Sequence, residues 1–244
     1  MILRVRGKTC LEGRRINMDF DKIMQFNLNE TASKAFQNSE VFENLKDFFA
    51  IQQLYNSAIK EIKTKLEILD DEFQVKYDHN PIHHMEYRLK SPKSIVEKLE
   101  KKNLNISTAA IKENLTDIAG VRVICNYIDD IDRIADLLTR QDDITLIRRR
   151  DYIAEPKENG YRSLHLIVSV PVFLAESTQK VPVEIQIRTI AMDFWASLEH
   201  ELKYKAQDEI SAELRLRLKN CAESITLLDA EMQSIYKDIN SDRK

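Results

Sequence analysis

The sequence predicts an α+β or α/β protein in which a central sheet is flanked by helices, with a long helix toward each end. Runs rich in Val and Ile, each bounded by turn residues, alternate with amphipathic stretches through the middle of the chain. On either side of that middle, apolar residues recur at spacings of three and four over many turns. Glycine adds a third observation, because only two of the 4 glycines lie beyond residue 13, at Gly120 and Gly160. Such sparing use points to places where the backbone takes φ > 0 or lies against a ligand.

Residues 1–17 hold the other two glycines and no apolar period, and are expected to be a tail or a non-native extension ahead of Met18. From Leu45 a heptad seam runs through Phe48, Gln52, Tyr55, Ile59, Ile62, Leu66, Leu69 and Phe73, with Gln52 its polar interruption. His79-Asn80-Pro81 ends it, since proline cannot continue a helix and pushes the preceding residue out of the helical region. Residues 18–77 are therefore read as an N-terminal helical region. Helices follow around Ser94 to Lys102 and Thr108 to Asn114, then a strand over Val121 to Tyr127 and a helix over Asp130 to Arg140. Strands are expected near Ile144 to Asp151, Ser163 to Val170 and Val181 to Ile187, and helices over Ile190 to Lys205 and Ala212 to Ile239. In the last, Leu214, Leu218, Cys221, Ile225, Leu228, Met232, Ile235 and Ile239 keep the four-three spacing unbroken. Seams this strict want a partner surface, each other or another subunit, and a homo-oligomer is the expectation.

With 43% hydrophobic and 32% charged residues, the chain has the composition of a globular protein able to bury a large core. No apolar run nears the roughly 18 residues of a membrane span, and the start lacks the pattern of a secretory signal. Cys10, Cys125 and Cys221 are too scattered for a disulfide framework or a Cys-rich metal site, so a cytoplasmic protein without membrane contact is expected. A net charge of -3 argues against a chain that coats nucleic acid and leaves RNA contact as a side activity at most. Phosphate ligands need only a local basic group. Such groups occur at Arg88, Lys90, Lys93, Lys98, Lys101 and Lys102, at Arg148 to Arg150, and around Arg162 and Arg188. Arg149 and part of the Lys98 to Lys102 run read as solvated surface charge.

Val181, Val183, Ile185 and Ile187 point one way from their strand, so Glu184, Gln186 and Arg188 line the other face. A carboxylate, an amide and a guanidinium in register are more than a wet edge strand requires. Asp117 stands just ahead of Gly120, and Arg122 projects opposite Val121 and Val123. Asp117 and Glu184 are thus a candidate pair for Mg²⁺, an ion that takes few carboxylates and completes its shell with water and phosphate oxygens. With Arg and Lys around them, they are the recurring parts of phosphoryl-type transfer. Tyr161 is a candidate stacking platform for a base, with the Asn159 amide nearby, and His165 is placed to reach a phosphate. His79, His83 and His84 are set aside as zinc ligands, because Pro81 breaks the helix that would bring two of them together.

Arg88-Leu-Lys-Ser91, Asp117-Ile-Ala-Gly-Val-Arg122, Asn159-Gly-Tyr-Arg-Ser-Leu-His165, Glu184-Ile-Gln-Ile-Arg-Thr189 and Trp195-Ala-Ser-Leu-Glu-His200 follow one another as in the RelA/SpoT-type (p)ppGpp synthetase domain. The resemblance covers about residues 78–206. With no His-Asp hydrolase domain before it or regulatory domains after it, the chain resembles a small alarmone synthetase. His79-Asn-Pro-Ile82 and Ile190-Ala-Met-Asp-Phe-Trp-Ala-Ser-Leu-Glu-His200 are most similar to the RelP branch. The resemblance implies a synthetase core over 78–206 and an oligomerisation helix over 207–244. It also implies an α+β fold with a mixed sheet of nucleotidyltransferase type and a homotetramer built through the terminal helices. The family, which acts in the stringent response, transfers the β,γ-pyrophosphate of ATP to the 3′-hydroxyl of GDP or GTP and releases AMP.

Carried over position by position, Arg88, Lys90 and Lys98 hold the ATP phosphates and Arg122 packs on adenine. Asp117 and Glu184 bind Mg²⁺, with Glu184 also the base for the 3′-hydroxyl. Tyr161 stacks on guanine beside Lys157 and Asn159, while His165, Gln186 and Arg188 contact the acceptor nucleotide or its phosphates. Thr116, where many members have His, and Leu89, where Val is commoner, depart from the pattern only beside the motifs. One rival reading is a nucleotidyltransferase acting at the α-phosphate, for which two closely spaced acidic residues on one strand are missing. The other is an RNA-binding or scaffold platform, which the acidic balance weakens.

Overall fold

The computed structural model describes residues 40–205 and 211–241. Helix α1 (Glu40–Lys76) leads to strand β1 (Ile82–Leu89), helices α2 (Pro92–Lys101) and α3 (Thr108–Asn114), strand β2 (Ala119–Cys125) and helix α4 (Ile128–Thr139). Strands β3 (Thr145–Asp151), β4 (Leu164–Phe173) and β5 (Thr178–Thr189) come next, then helices α5 (Ile190–Lys205) and α6 (Ala212–Ser241). Residues 50–244 form one compact unit, and in the other, 1–49, the described residues 40–49 are helical. The expected tail at 1–17, the expected helical region between 18 and 39, and the junction expected near 207 lie outside the described residues. Among the described residues no helix is long and apolar enough to cross a membrane.

The strands hydrogen-bond in the order β1-β2-β5-β4-β3, with β2 and β5 parallel and every other neighbouring pair antiparallel. The sheet is mixed and the fold α+β. Val121, Val123, Val181, Val183, Ile185 and Ile187 are all buried on one face, which is why β2 and β5 read so clearly as strands. Strand β1 was not expected from the sequence. Its alternation is written in His84, Glu86 and Arg88, and Ile82 is its one fully buried residue, as suits a strand at the edge of a sheet.

The seam of α1 is covered by the chain's own core. Tyr55, Ile59, Ile62, Leu66 and Phe73 are buried, and Ile51, Leu54 and Ala58 widen the stripe beyond a strict heptad. Arg133 of α4 lies 4.7 Å from the Phe73 ring, and Lys65 donates to Asp143 at 2.7 Å. Helix α6 is arranged the other way round. It buries Ala222, Asp229 and Gln233. Thr189 Oγ1 donates to Asp229 at 2.6 Å, the Asp129 backbone N–H donates to Gln233 at 2.9 Å, and Tyr236 stacks on Tyr127. Its heptad residues Leu214, Leu228, Met232, Ile235 and Ile239 are exposed, as are Ile190, Phe194, Leu198 and Leu202 of α5.

Candidate active site

Register across the sheet aligns two rows of residues on the face opposite Val183 and Ile185. One row holds Arg88, Gly120, Glu184, Ile167 and Arg148; the next holds Glu86, Arg122, Gln186, His165 and Arg150. Gly120 leaves an opening in the first row, between Arg88 and Glu184. An added Cβ there would meet Arg88 O at an ordinary 3.5 Å, so neither a clash nor a positive φ requires the glycine. What it provides is a low floor beside the carboxylate.

Two cavities open over these rows. One, of about 390 Å³, lies over β1 and β2, lined by Glu86, Arg88, Gly120 and Arg122 among others. The other, of about 250 Å³, lies toward β3 and β4, with Lys98, Arg148, Arg150, Lys157 and His165 in its walls. Asp117 and Glu184 are the two residues that line both.

Asp117 is held by two ammonium groups. Lys90 and Lys98 each donate to Oδ2 at 2.6 Å, while Oδ1 is buried with no hydrogen-bond partner among the described residues. Burial alone would raise its pKa, but the two lysines outweigh it and hold the carboxyl below its ordinary range. Ser91 supports this arrangement by capping α2, its Oγ accepting from the Ser94 N–H at 3.3 Å, with Pro92 in the first turn.

Glu184 is treated alike. Burial pushes its carboxyl up, yet His165, whose Nδ1 stands 3.6 Å from Oε1, and Gln186, donating to Oε2 at 3.2 Å, bring it below the usual value. The charge of Asp117 acts in the opposite sense, so the two carboxylates feel each other. Arg122 donates to Glu86 at 2.6 Å, and both Arg122 and Arg188 lie near Asp193, at 3.6 and 3.5 Å. Arg122 Nε, Arg188 Nε and Asp193 Oδ1 join Asp117 Oδ1 as buried atoms lacking a hydrogen-bond partner among the described residues. Buried polar atoms are ordinarily paired, so their concentration here marks a site suited to a charged ligand. Two ionised carboxylates with a vacant oxygen also suit a hard divalent cation whose remaining ligands are phosphate and water.

The turn over Lys157 to Tyr161 closes with the Gly160 N–H donating to Lys157 O at 2.8 Å, and Gly160 takes φ +91. Tyr161 is half-buried, and its ring is not an open platform. Lys157 Nζ stands 4.5 Å from the ring centroid and 4.6 Å from that of Tyr152, so a base stacking on that side displaces the ammonium. The Tyr161 hydroxyl and His165 Nε2 are 2.8 Å apart. The Asn159 amide is engaged within the fold: it donates to Glu199 at 3.0 Å and accepts from the Tyr161 N–H at 3.2 Å, so it shapes the turn. Arg188, 3% exposed, lines neither cavity; it donates to Gln186 at 2.9 Å, with its guanidinium 5.8 Å from the Tyr161 ring. Arg149 pairs with Asp132 at 2.6 Å as surface charge, as expected.

Three residues of the site went unread in the sequence. Glu86 falls on the site face once the alternation from Arg88 is extended back, but β1 had not been recognised. Asp193 lies in the first turn of α5, and Tyr152 follows the last residue of β3; no spacing signal marks either.

The profile of a family described as a region found in RelA / SpoT proteins matches residues 87–209. GTP pyrophosphokinase YwaC of Bacillus subtilis is 45% identical over 187 residues, which cover 77% of this chain and 89% of that protein. GTP pyrophosphokinase YjbM of the same organism is 40% identical over 185 residues, 76% of this chain and 86% of that protein. Among solved structures, the small alarmone synthetase 1 from Bacillus subtilis bound to its product pppGpp matches with a TM-score of 0.71 and 40% identity, over 76% of this chain and 94% of that one. The small alarmone synthetase 2 from the same organism matches at 0.72 and 43% identity, over 79% and 99%.

Proposed function

The chain belongs to the RelA/SpoT family, and from that premise we propose that it is a (p)ppGpp synthetase, a GTP pyrophosphokinase using ATP as donor and GDP or GTP as acceptor. The observation that carries this reading is the meeting of two cavities on Asp117 and Glu184. A transfer between two nucleotides needs one pocket for each, with the reacting groups where the pockets join.

The larger cavity is assigned to ATP. Arg122 packs on adenine and Arg88 meets the phosphates from the wall, while Lys90, which lines neither cavity, and Lys98, from the wall of the smaller one, reach them past Asp117. The smaller cavity takes the guanine nucleotide; Tyr161 lines neither cavity but lies beneath Lys157 of this wall, and the base meets it once Lys157 moves aside. His165 stands beside the acceptor with Arg148 and Arg150 in the same wall to draw in its phosphates, and Gln186, which lines the larger cavity, approaches it from across Glu184. Asn159 and Arg188 serve the acceptor half by shaping the turn and supporting Tyr161. Asp117 and Glu184 are the residues that would hold Mg²⁺, which when bound neutralises the crowded triphosphate.

Glu184, ionised at neutral pH, takes the proton of the 3′-hydroxyl. The 3′-oxygen forms a bond to the β-phosphorus of ATP, the bond from that phosphorus to the oxygen bridging it to the α-phosphorus breaks, and AMP leaves with that oxygen. Lys90 and Lys98 would be free to follow the phosphates where a cation held by Asp117 supplied the compensating charge. The exposed apolar stripes of α5 and α6 support a homo-oligomer, read as the tetramer that the resemblance implies.

Incubation with Mg²⁺, γ-labelled ATP and GDP or GTP tests the function. Label passing to the guanine nucleotide with equimolar AMP is expected. Pyrophosphate release with AMP joined to the acceptor would instead identify a nucleotidyltransferase.

A further inference from the structure

The turn that carries Tyr161 rests on α5 and α6, through residues that line neither cavity. A Cβ built on Gly160 would lie 2.6 Å from the Cβ of Ala222, so the turn and α6 touch where only glycine faces a methyl group. Asn159 donates to Glu199 Oε1 of α5 at 3.0 Å, and Glu199 is itself 8% exposed. Tyr161 packs with Leu218 and Ile225 against a cluster of Trp195, Ala196 and Ala222. Trp195 Nε1 donates to the carbonyl of Leu218 at 2.9 Å, which clamps the two helices together beneath the turn. Ala222 stands on α6, beyond residue 209 where the family match ends.

We propose that Glu199 and Ala222 are positioning residues for the acceptor half of the site, setting affinity for the guanine base by fixing the turn that bears Tyr161 and Lys157. The inference rests on the reading that Tyr161 meets guanine. A short turn with no support of its own would sample many orientations, and ordering it would be charged against binding of whatever stacks there. Here the ordering is done in advance: Glu199 holds the amide of Asn159 from one side, and the Gly160–Ala222 contact fixes the height of the turn from below. The donor cavity lies over β1 and β2 and shares none of these contacts.

Trp195 is the 1 tryptophan of the chain and sits in the cluster against which Tyr161 rests, so its emission reports on the turn without any need for turnover. On the full chain, GDP or GTP and, separately, a non-hydrolysable ATP analogue are titrated against Trp195 fluorescence. Both KM values are then measured for the unaltered protein, Glu199→Ala, Glu199→Gln and Ala222→Val. The guanine nucleotide alone is expected to change the emission. Glu199→Ala should raise its Kd and KM roughly ten-fold, as for a lost hydrogen bond to a charged group. The KM for ATP should stay within about two-fold and kcat at saturation should change little. Glu199→Gln, which keeps an acceptor oxygen in place, should restore most of the affinity, and Ala222→Val should behave like Glu199→Ala. Equal shifts in both KM values, a fall in kcat alone, or no rescue by Gln would overturn the proposal while leaving the synthetase reading intact. Failure of the unaltered protein to bind any guanine nucleotide would remove the acceptor assignment and this inference with it.

Discussion

Lys90 and Asp117 form an ion pair at the end of the sheet, Nζ to Oδ2 at 2.6 Å, in which the lysine side chain is 9% exposed. Lys98 holds the same oxygen, and the pair of ammonium groups keeps Asp117 ionised against its burial. With a folded pKa below the ordinary 3.8, Asp117 contributes stability that is fully present above that value and is lost as pH falls through the folded one. Asp117→Ala strands a buried lysine, a change that costs on the order of 3–5 kcal/mol when a buried pair is broken from one side. Asp117→Asn leaves an oxygen for it. Both variants are expected to lose activity by roughly a hundredfold or more, since neither offers the charge the reaction needs. Only Asp117→Ala should show a large fall in Tm by circular dichroism. Near-normal AMP production by Asp117→Asn would remove Asp117 from the reaction.

Against burial, the largest influence on the Glu184 carboxyl, His165 is the main group favouring its ionised form. It brings the carboxyl below its ordinary value, and without it burial and the charge of Asp117 act unopposed except for Gln186. His165→Asn is therefore expected to raise the pKa of Glu184, so the base is ionised only at higher pH. The acidic limb of kcat should move upward in pH, while activity well above that limb recovers in part. A pH–rate profile unchanged on its acid side would show that Glu184 is not the group being titrated.

Tyr161 presents a ring to the acceptor and a hydroxyl to His165, and the two roles separate by substitution. Tyr161→Ala should raise the KM for the guanine nucleotide about ten- to a hundredfold, the usual worth of one base–aromatic stack, with a much smaller change for ATP. Tyr161→Phe keeps the ring and should retain most of that affinity. Comparable effects of Ala on both substrates would contradict the stacking role.

What was legible in the sequence followed from period and burial. Strand β5 announced itself because Val181 to Ile187 are buried on one face and Glu184 and Gln186 stand on the other, a contrast that a list of residues preserves. Strand β1 has the same period, but an edge strand buries little, so His84, Glu86 and Arg88 have no buried apolar row opposite them to mark the alternation. The seam of α1 and that of α6 have the same spacing, yet one faces the core, while the other faces outward at every position but Leu218 and Ile225. Spacing defines a stripe and carries no direction; that depends on which side chains lie across it. Asn159 and Arg188 show a further limit. Their identities matched a site, but which hydrogen bonds they make depends on Glu199, Gln186 and Asp193, which only the folded chain brings to them.

Glu86 gives the missed strand a measurable role. It lies opposite Arg122 in the β1–β2 register and accepts from that guanidinium at 2.6 Å, in the wall of the donor cavity. Both side chains are partly exposed, so the pair is worth under about 1 kcal/mol and its effect is on orientation. Glu86→Ala is expected to raise the KM for ATP by about two- to five-fold and leave that for the guanine nucleotide unchanged. A larger effect on the guanine nucleotide than on ATP would reverse the assignment of the two cavities.

The two helical seams predict opposite responses to the same kind of change. Leu66 in α1 is 0% exposed, and Leu66→Ala should cost about 2–5 kcal/mol as a core truncation, visible as a lowered Tm whatever the subunit count. Leu228 and Ile235 in α6 are 60% and 43% exposed in the single chain. In an isolated subunit, placing a charge there costs little, whereas in an apolar contact between subunits it strands the charge away from water. Leu228→Glu with Ile235→Glu is therefore expected to reduce the molecular mass seen by light scattering while helix content by circular dichroism is kept. If the particle keeps its size, the stripe on α6 is not where subunits meet. If it shrinks and the KM for the guanine nucleotide rises with it, the same helix that supports Ala222 and Gly160 is held in place by assembly.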